Sequence, residues 1–476
     1  MSNAVVGILG LLTIAAIVVT LFKSKTLPAI AFIVFPIILG IVLVIFGRFN
    51  LASLAAMLKA GFTSTAPTAA LFVFSVLYFG IMTDAGMFDV IIGKLMKRVG
   101  DSVIGVCVMT AVIALIGHLD GGGASTFCIV IPAMLPVYER MHMRKTTLLR
   151  IAVLAMGVLN LMPWAGPTMR AAIVIGEDPN KLWLTILPIQ IFGILLSIGH
   201  AVLAGIQEQK RGAGLHGKLA QENGPVSIQT QQAAETPVNE LARPKLFWFN
   251  VLLTLVVIAM LIVGGQDFID LPSYVPFMIG TAIALFVNYG FTAKMHKKVI
   301  NLHAGPALMM CSTLMGAGML MGVLTSNLDE AGKVLKLTKE NFDSFAPAIP
   351  SVVSCIAGLV TKILPKFLGQ NLPLVIGVLS VPLALCFDTD SYFYGMLPVI
   401  IAIGKEFGVE ALPIAIAMVV CRNCATFISP MVPATLLGTG LAEVDIKDHI
   451  KASFFYVWIF SILCMLVGVA FRLIPI

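Results

Sequence analysis

Runs of about 18–20 apolar residues recur along this chain, and as a helix such a run crosses the hydrocarbon core of a bilayer. In lipid every backbone polar group has to be satisfied by the chain itself, which leaves only helices and closed barrels. Runs of this length select helices. They are predicted at about 4–22, 28–47, 65–83, 147–176, 183–206, 246–264, 275–291, 305–327, 411–440 and 452–473. Of the 476 residues, 59% are hydrophobic and 12% charged, which no soluble globular domain approaches. The fold class is therefore an all-α polytopic membrane protein. Residues 4–22 lack a basic leader and a small-residue cleavage site, so they are read as a first membrane helix, not a cleaved signal. The formal charge of +7 is assigned to cytoplasmic loops; it calls for no nucleic-acid partner. The eight cysteines lie in or beside apolar runs, and Cys421–Cys424 lacks the two further ligands a zinc site needs.

Two further apolar segments, near 101–138 and 371–404, carry a polar tip in the middle. The first tip reads Leu119-Asp120-Gly121-Gly122-Gly123-Ala124-Ser125-Thr126, the second Asp388-Thr389-Asp390-Ser391. Irregular backbone and carboxylates at bilayer depth are tolerated only inside protein or beside a wet cavity, and they mark function. Lys94, Lys97 and Arg98 precede the first segment and Arg140, Arg144, Lys145 and Arg150 follow it. If both clusters are cytoplasmic, the segment is a re-entrant hairpin. Lys23, Lys25, the polar linker 207–245, Lys294, Lys297, Lys298, Lys447 and Lys451 then also fall inside, about two-thirds of all Lys and Arg. The expectation is about ten transmembrane helices plus two re-entrant hairpins, in the plasma (inner) membrane.

The tips align as an internal repeat. Pro132 and Pro167 follow Ser125 at the spacings at which Pro398 and Pro433 follow Ser391, and Gly80-Ile-Met-Thr83 matches Gly322-Val-Leu-Thr325. An odd number of crossings between the copies makes two inverted repeats, a signature of secondary transporters. Each copy also has a proline-broken helix, at 160–168 and 426–435. Proline there removes a backbone donor, and the freed amides of the following half-helix favour an anion. The expected division is 1–64 N-terminal scaffold helices, 65–206 first repeat (tip 118–126), 207–245 cytoplasmic linker, 246–304 scaffold helices and 305–476 second repeat (tip 387–392).

The stretches Leu77–Gly86, Leu119–Pro136, Met162-Pro-Trp-Ala-Gly-Pro-Thr168, Ser429-Pro-Met-Val-Pro433 and Gly440–His449 resemble the citrate–metal–proton symporters (CitMHS) of the ion transporter superfamily. The resemblance runs over nearly the whole chain. It implies a homodimeric, elevator-type carrier whose mobile domain holds both tips. Three positions depart from the family: Gly122 where a second tip acid is usual, Asp388-Thr389-Asp390-Ser391 for Ser-Asn-Asp-Ala, and Arg422-Asn423-Cys424-Ala425 for Gln-Pro-Val-His.

The leading reading is proton-coupled citrate symport, with the substrate as a divalent-metal complex and Mg²⁺ or Ca²⁺ as cargo; no cofactor is implied. A free di- or tricarboxylate moved with H⁺ or Na⁺ is the alternative, and a cation–proton antiporter is the alternative of another class. No enzyme motif is present. The candidate substrate-binding set is Gly121, Gly123, Ser125, Thr126, Asn160, Gly166, Thr168, Arg170, Asp390, Ser391, Arg422, Asn423, Ser429 and Thr435. Arg170 and Arg422 are the arginines within the broken-helix segments, and a guanidinium grips a carboxylate. The plainer roles for these groups are helix-to-helix hydrogen bonding and pairing with a nearby Asp. Asp84, His118, Asp120, Asp388 and Asp390 are candidates for the coupling proton or a metal.

Overall fold

The computed structural model describes residues 1–23, 26–98, 100–223, 240–266, 269, 271–335 and 347–475. Lys25 and residues 224–239 of the expected linker lie outside these. Among the described residues, nine helices are long and apolar enough to cross a membrane. The ten expected differ for physical reasons. The run 147–176 is two short helices, Lys145–Leu159 and Gly166–Ile175, and 275–291 is the 16-residue Tyr274–Tyr289. Val103–Asp120, taken above as a hairpin arm, is itself long and apolar enough.

The same order of elements occurs twice. Two helices (Asn3–Phe22 and Pro28–Ile45; Phe247–Gly264 and Tyr274–Tyr289) lead into one very long helix, Leu51–Asp84 or Ala293–Thr325. A polar-tipped segment, a broken helix and a final long helix follow, Pro179–Lys210 in the first half and Ile446–Ala470 in the second. The long helices begin well before the apolar windows 65–83 and 305–327, so residues 64 and 304 fall inside continuous helices. Asn50 caps the first of these, its Oδ1 accepting from Ser53 N at 2.8 Å.

The halves interlock. Pro28–Ile45 packs on Ala293–Thr325, Tyr274–Tyr289 packs on Leu51–Asp84, and the two long helices cross each other most extensively of all. Glycines allow that crossing. A Cβ at Gly61 would lie 1.9 Å from Gly318 O, and one at Gly322 would lie 2.3 Å from Met57 O. Small residues are the usual means by which membrane helices bring their backbones together.

Both polar-tipped segments turn back on themselves. In the first, Val103–Gly117 and Gly123–Arg140 pack side by side. Tyr138 Oη lies 3.1 Å from Thr110 Oγ1, and Arg140 meets Asp101 at 3.5 Å, so the two ends emerge together. In the second, a Cβ at Gly369 would strike the Phe407 ring at 2.4 Å, and Ser380 Oγ lies 2.6 Å from Tyr392 Oη.

Candidate functional site

Each tip is shaped by its own aspartate. The first rises through a 3-10 turn, His118–Asp120, to Gly121, whose φ of 71° is the left-handed value that favours glycine. Asp120 Oδ1 accepts from Gly122 N at 2.8 Å, and its Oδ2 accepts from the Ser125 hydroxyl. In the second tip Asp388 Oδ1 accepts from the amides of Asp390 (2.8 Å) and Ser391 (3.0 Å), and Oδ2 accepts from Ser391 Oγ at 2.6 Å. Asp120 and Asp388 thus each fix their own tip, Asp120 through the amide just ahead of helix Gly123–Arg140 and Asp388 through the amides of Asp390 and Ser391, as a cap does.

Both breaks form where the prolines place them. Helix Lys145–Leu159 stops at Asn160 and resumes at Gly166; Ala411–Cys424 gives way to a 3-10 turn, Thr426–Ile428, and resumes at Pro433. The carbonyl of Asn160, freed from its helix, accepts from Thr168 Oγ1 at 3.1 Å and from Asn423 Nδ2 at 3.2 Å. The two helices meet closely there, since a Cβ at Gly157 would lie 2.9 Å from Asn423 O. His118 ties tip to break: Nδ1 lies 2.7 Å from Thr126 Oγ1 and Nε2 lies 3.0 Å from Asn160 Oδ1, with the ring edge-on to Phe427. Trp164 Nε1 adds a bond to Leu119 O at 2.8 Å.

Each tip also packs on the half-helix of the other half. Gly123–Arg140 lies along Pro433–Leu441, and a Cβ at Gly123 would fall 2.3 Å from the Phe427 ring. The turn Ser391–Met396 lies on Gly166–Ile175, and there Arg170 Nε donates to Asp390 Oδ1 at 2.6 Å. Arg422 is fully buried and bonds neutral oxygens: Thr426 Oγ1 (3.2 Å), Phe387 O (3.3 Å) and Thr389 Oγ1 (3.4 Å). Its Nε has no hydrogen-bond partner among the described residues.

The structure therefore brings the sequence candidates together around two tips and two breaks. Ser429 Oγ accepts from Met431 N at 3.2 Å, and Thr435 Oγ1 donates to Thr426 O at 3.5 Å, so both tie the second break. Asp84 ends a long helix, not a tip, and meets His303 Nε2 at 2.9 Å across the crossing of the long helices. Sequence reasoning passed over Phe427, Trp164 and Thr389. Trp164 and Thr389 stand within the quoted motifs and Phe427 within the second break, but only contacts distant in sequence give them a role: Leu119 O for Trp164, Arg422 for Thr389, and His118 and Gly123 for Phe427.

A helical bundle with two polar tips set against two broken helices is the architecture of a multi-pass membrane transporter. The solved YdaH transporter of Alcanivorax borkumensis shares the fold, with a TM-score of 0.57 over 90% of each chain at 16% identity. The chain belongs to the citrate transporter family (CitMHS), whose model matches residues 1–353. It is 33% identical over 445 residues to a citrate transporter of Bacillus subtilis (strain 168), covering 94% of each chain. It is 32% identical over 453 residues to the Mg²⁺/citrate complex secondary transporter of the same organism, covering 94% of this chain and 93% of that one. The family resemblance read from the motifs is thereby borne out.

Proposed function

We propose that this chain is a secondary transporter that carries citrate as its complex with a divalent cation, Mg²⁺ or Ca²⁺, in symport with protons. The observation that carries the metal complex is the balance of fixed charge. Arg170 and Arg422 stand against Asp120, Asp388 and Asp390, so the tips and breaks hold no excess of positive charge. A free citrate anion buried there lacks the counter-charge it needs, whereas chelating a divalent cation cancels most of its charge. Among the described residues no group of three or more His, Cys, Asp or Glu is placed to hold a metal ion. That fits a cation that arrives already chelated by its cargo partner. The relative described as a Mg²⁺/citrate complex transporter supports the same choice.

For the carboxylates of the substrate we assign the freed amides at the starts of Gly166–Ile175 and Pro433–Leu441, with the hydroxyls of Ser125, Ser391 and Ser429 beside them. Asp390 is the acid we assign to coupling. Asp120 and Asp388 spend both oxygens on their own tips, while Asp390 reaches the other half of the molecule through Oδ1. A carboxylate separated from its counter-ion away from water is neutralised by a proton. The duplicated order of elements and the basic flanks support inverted repeats, a cytoplasmic 207–245 linker and alternating access, while the elevator form and the homodimer rest on the family resemblance. The scheme keeps the expected order of scaffold 1–64, repeat 65–206, scaffold 246–304 and repeat 305–476, with the boundaries at 64 and 304 moved to the helix starts at Leu51 and Ala293, since both fall inside continuous helices.

One observation favours a second reading. Arg422 has no carboxylate partner among the described residues, and a free di- or tricarboxylate moved with H⁺ or Na⁺ would use it. Uptake into proteoliposomes separates the two. With the complex as substrate, EDTA abolishes citrate uptake, Mg²⁺ or Ca²⁺ restores it, and an inward proton gradient drives accumulation. Uptake that survives EDTA and is lost in Arg422→Gln selects the free anion.

A further inference from the structure

We propose that Asp390 competes with a carboxylate of the substrate for Arg170, so that substrate binding releases the second tip from the first broken helix. The inference rests on the carboxylate-transport reading and adds the event by which the substrate is sensed.

Two arginines hold the second tip, and they hold it differently. Arg422 grips it through Phe387 O and Thr389 Oγ1, neutral groups, and is wholly buried. Arg170 grips it through one charged contact, Nε to Asp390 Oδ1 at 2.6 Å, with the side chains 6% and 14% exposed. The first contact has nothing a substrate anion could replace one for one. The second is a carboxylate on a guanidinium, the very interaction that a substrate carboxylate would make.

The position of Arg170 strengthens this. Its guanidinium folds back over the start of its own half-helix, with Nη1 so close to Gly166 that a Cβ there would lie 2.3 Å from it. The arginine therefore stands beside the first turn of that half-helix, where a carboxylate would meet its charge together with the positive end of the helix. Asp390 reaches this place only through its side chain. Its backbone amide stays bonded to Asp388 Oδ1 within the tip. Giving up the ion pair would therefore remove the charged tie between the turn Ser391–Met396 and Gly166–Ile175, leaving apolar contacts such as those around Tyr394 and Ile173 to hold them, without unravelling the tip itself.

The test uses the full-length protein in lipid nanodiscs, with citrate plus Mg²⁺ and citrate plus EDTA as probes. Binding is read by calorimetry and tip opening by hydrogen exchange of residues 386–396. In the natural protein, the bound form of citrate is expected to speed exchange there at least threefold. In Asp390→Asn, exchange is already fast without citrate, and citrate binds at least threefold more tightly because its competitor is gone. Arg170→Gln/Asp390→Asn, which leaves no unpaired charge and so guards against misfolding, is expected to exchange fast and not to respond to citrate. Citrate binding with no change at 386–396 and no tightening in Asp390→Asn overturns this inference alone. So does exchange in the double variant as slow as in the natural protein. Failure of the natural protein to bind citrate in either form overturns the transport reading and this inference with it.

Discussion

Asn423 donates from Nδ2 to the main-chain carbonyl of Asn160, 3.2 Å away and 263 residues earlier in the chain. The bond joins the two places where the broken helices leave their helical paths. It satisfies a buried acceptor that the break itself created, and it is one of the contacts through which the two halves form a single site.

Asn423→Ala is expected to leave the Asn160 carbonyl with Thr168 as its remaining side-chain donor. Because Thr168 still donates to that carbonyl, the loss is that of a single hydrogen bond, roughly 0.5–1.5 kcal/mol, which a large helical bundle tolerates. The two breaks should shift apart, so citrate uptake falls at least tenfold while size-exclusion behaviour in detergent stays unchanged. Uptake within twofold of the natural protein would show that the stitch is dispensable.

Gly166→Ala tests the placement of Arg170. Gly166 opens its half-helix, where alanine is no worse a helix former than glycine, so a purely local effect would not lower thermal stability. The new Cβ, however, would stand 2.3 Å from Arg170 Nη1. The guanidinium must move and its bond to Asp390 must weaken. A drop in uptake of tenfold or more, without a gain in melting temperature, is the expected result.

His118 is expected to position the site, not to carry the coupling proton, because both ring nitrogens already lie at 2.7–3.0 Å from Thr126 and Asn160. His118→Gln should lower the uptake rate and leave the shape of its pH dependence unchanged. A shifted pH profile would transfer the proton to His118.

The paired ends of the first polar-tipped segment predict its sidedness. Arg140 contacts Asp101 at 3.5 Å, so cysteines introduced at Arg98 and Arg144 should react with an impermeant maleimide from the same, cytoplasmic face. Labelling from opposite faces would refute the hairpin and the inverted repeat built on it.

Much of this architecture was legible because membranes leave a chain few choices. Apolar length marked most of the crossings, proline pairs marked Asn160–Thr168 and Thr426–Thr435, an acid with a glycine run marked 118–126, and paired acids marked 387–392. Less legible were the extents of Leu51–Asp84 and Ala293–Thr325. Their first turns carry too many polar and small residues to register as membrane helix, and Asn50 caps one of them where the apolar pattern is silent.

The sequence by itself determined which residue types stand at the tips and breaks, because a carboxylate, a glycine run or a proline pair inside apolar helix has a local meaning. It did not determine what each aspartate does. Asp120, Asp388 and Asp390 are alike as residues, and two of them cap their own tips while the third crosses to Arg170. Only the tertiary structure decided that, by packing each tip on the half-helix of the other half. A carboxylate in a medium that screens charge poorly takes whichever donor lies within about 3 Å. For Asp120 and Asp388 that donor lies in their own tip; for Asp390 it is Arg170, 220 positions away, and spacing along one chain carries no record of that contact.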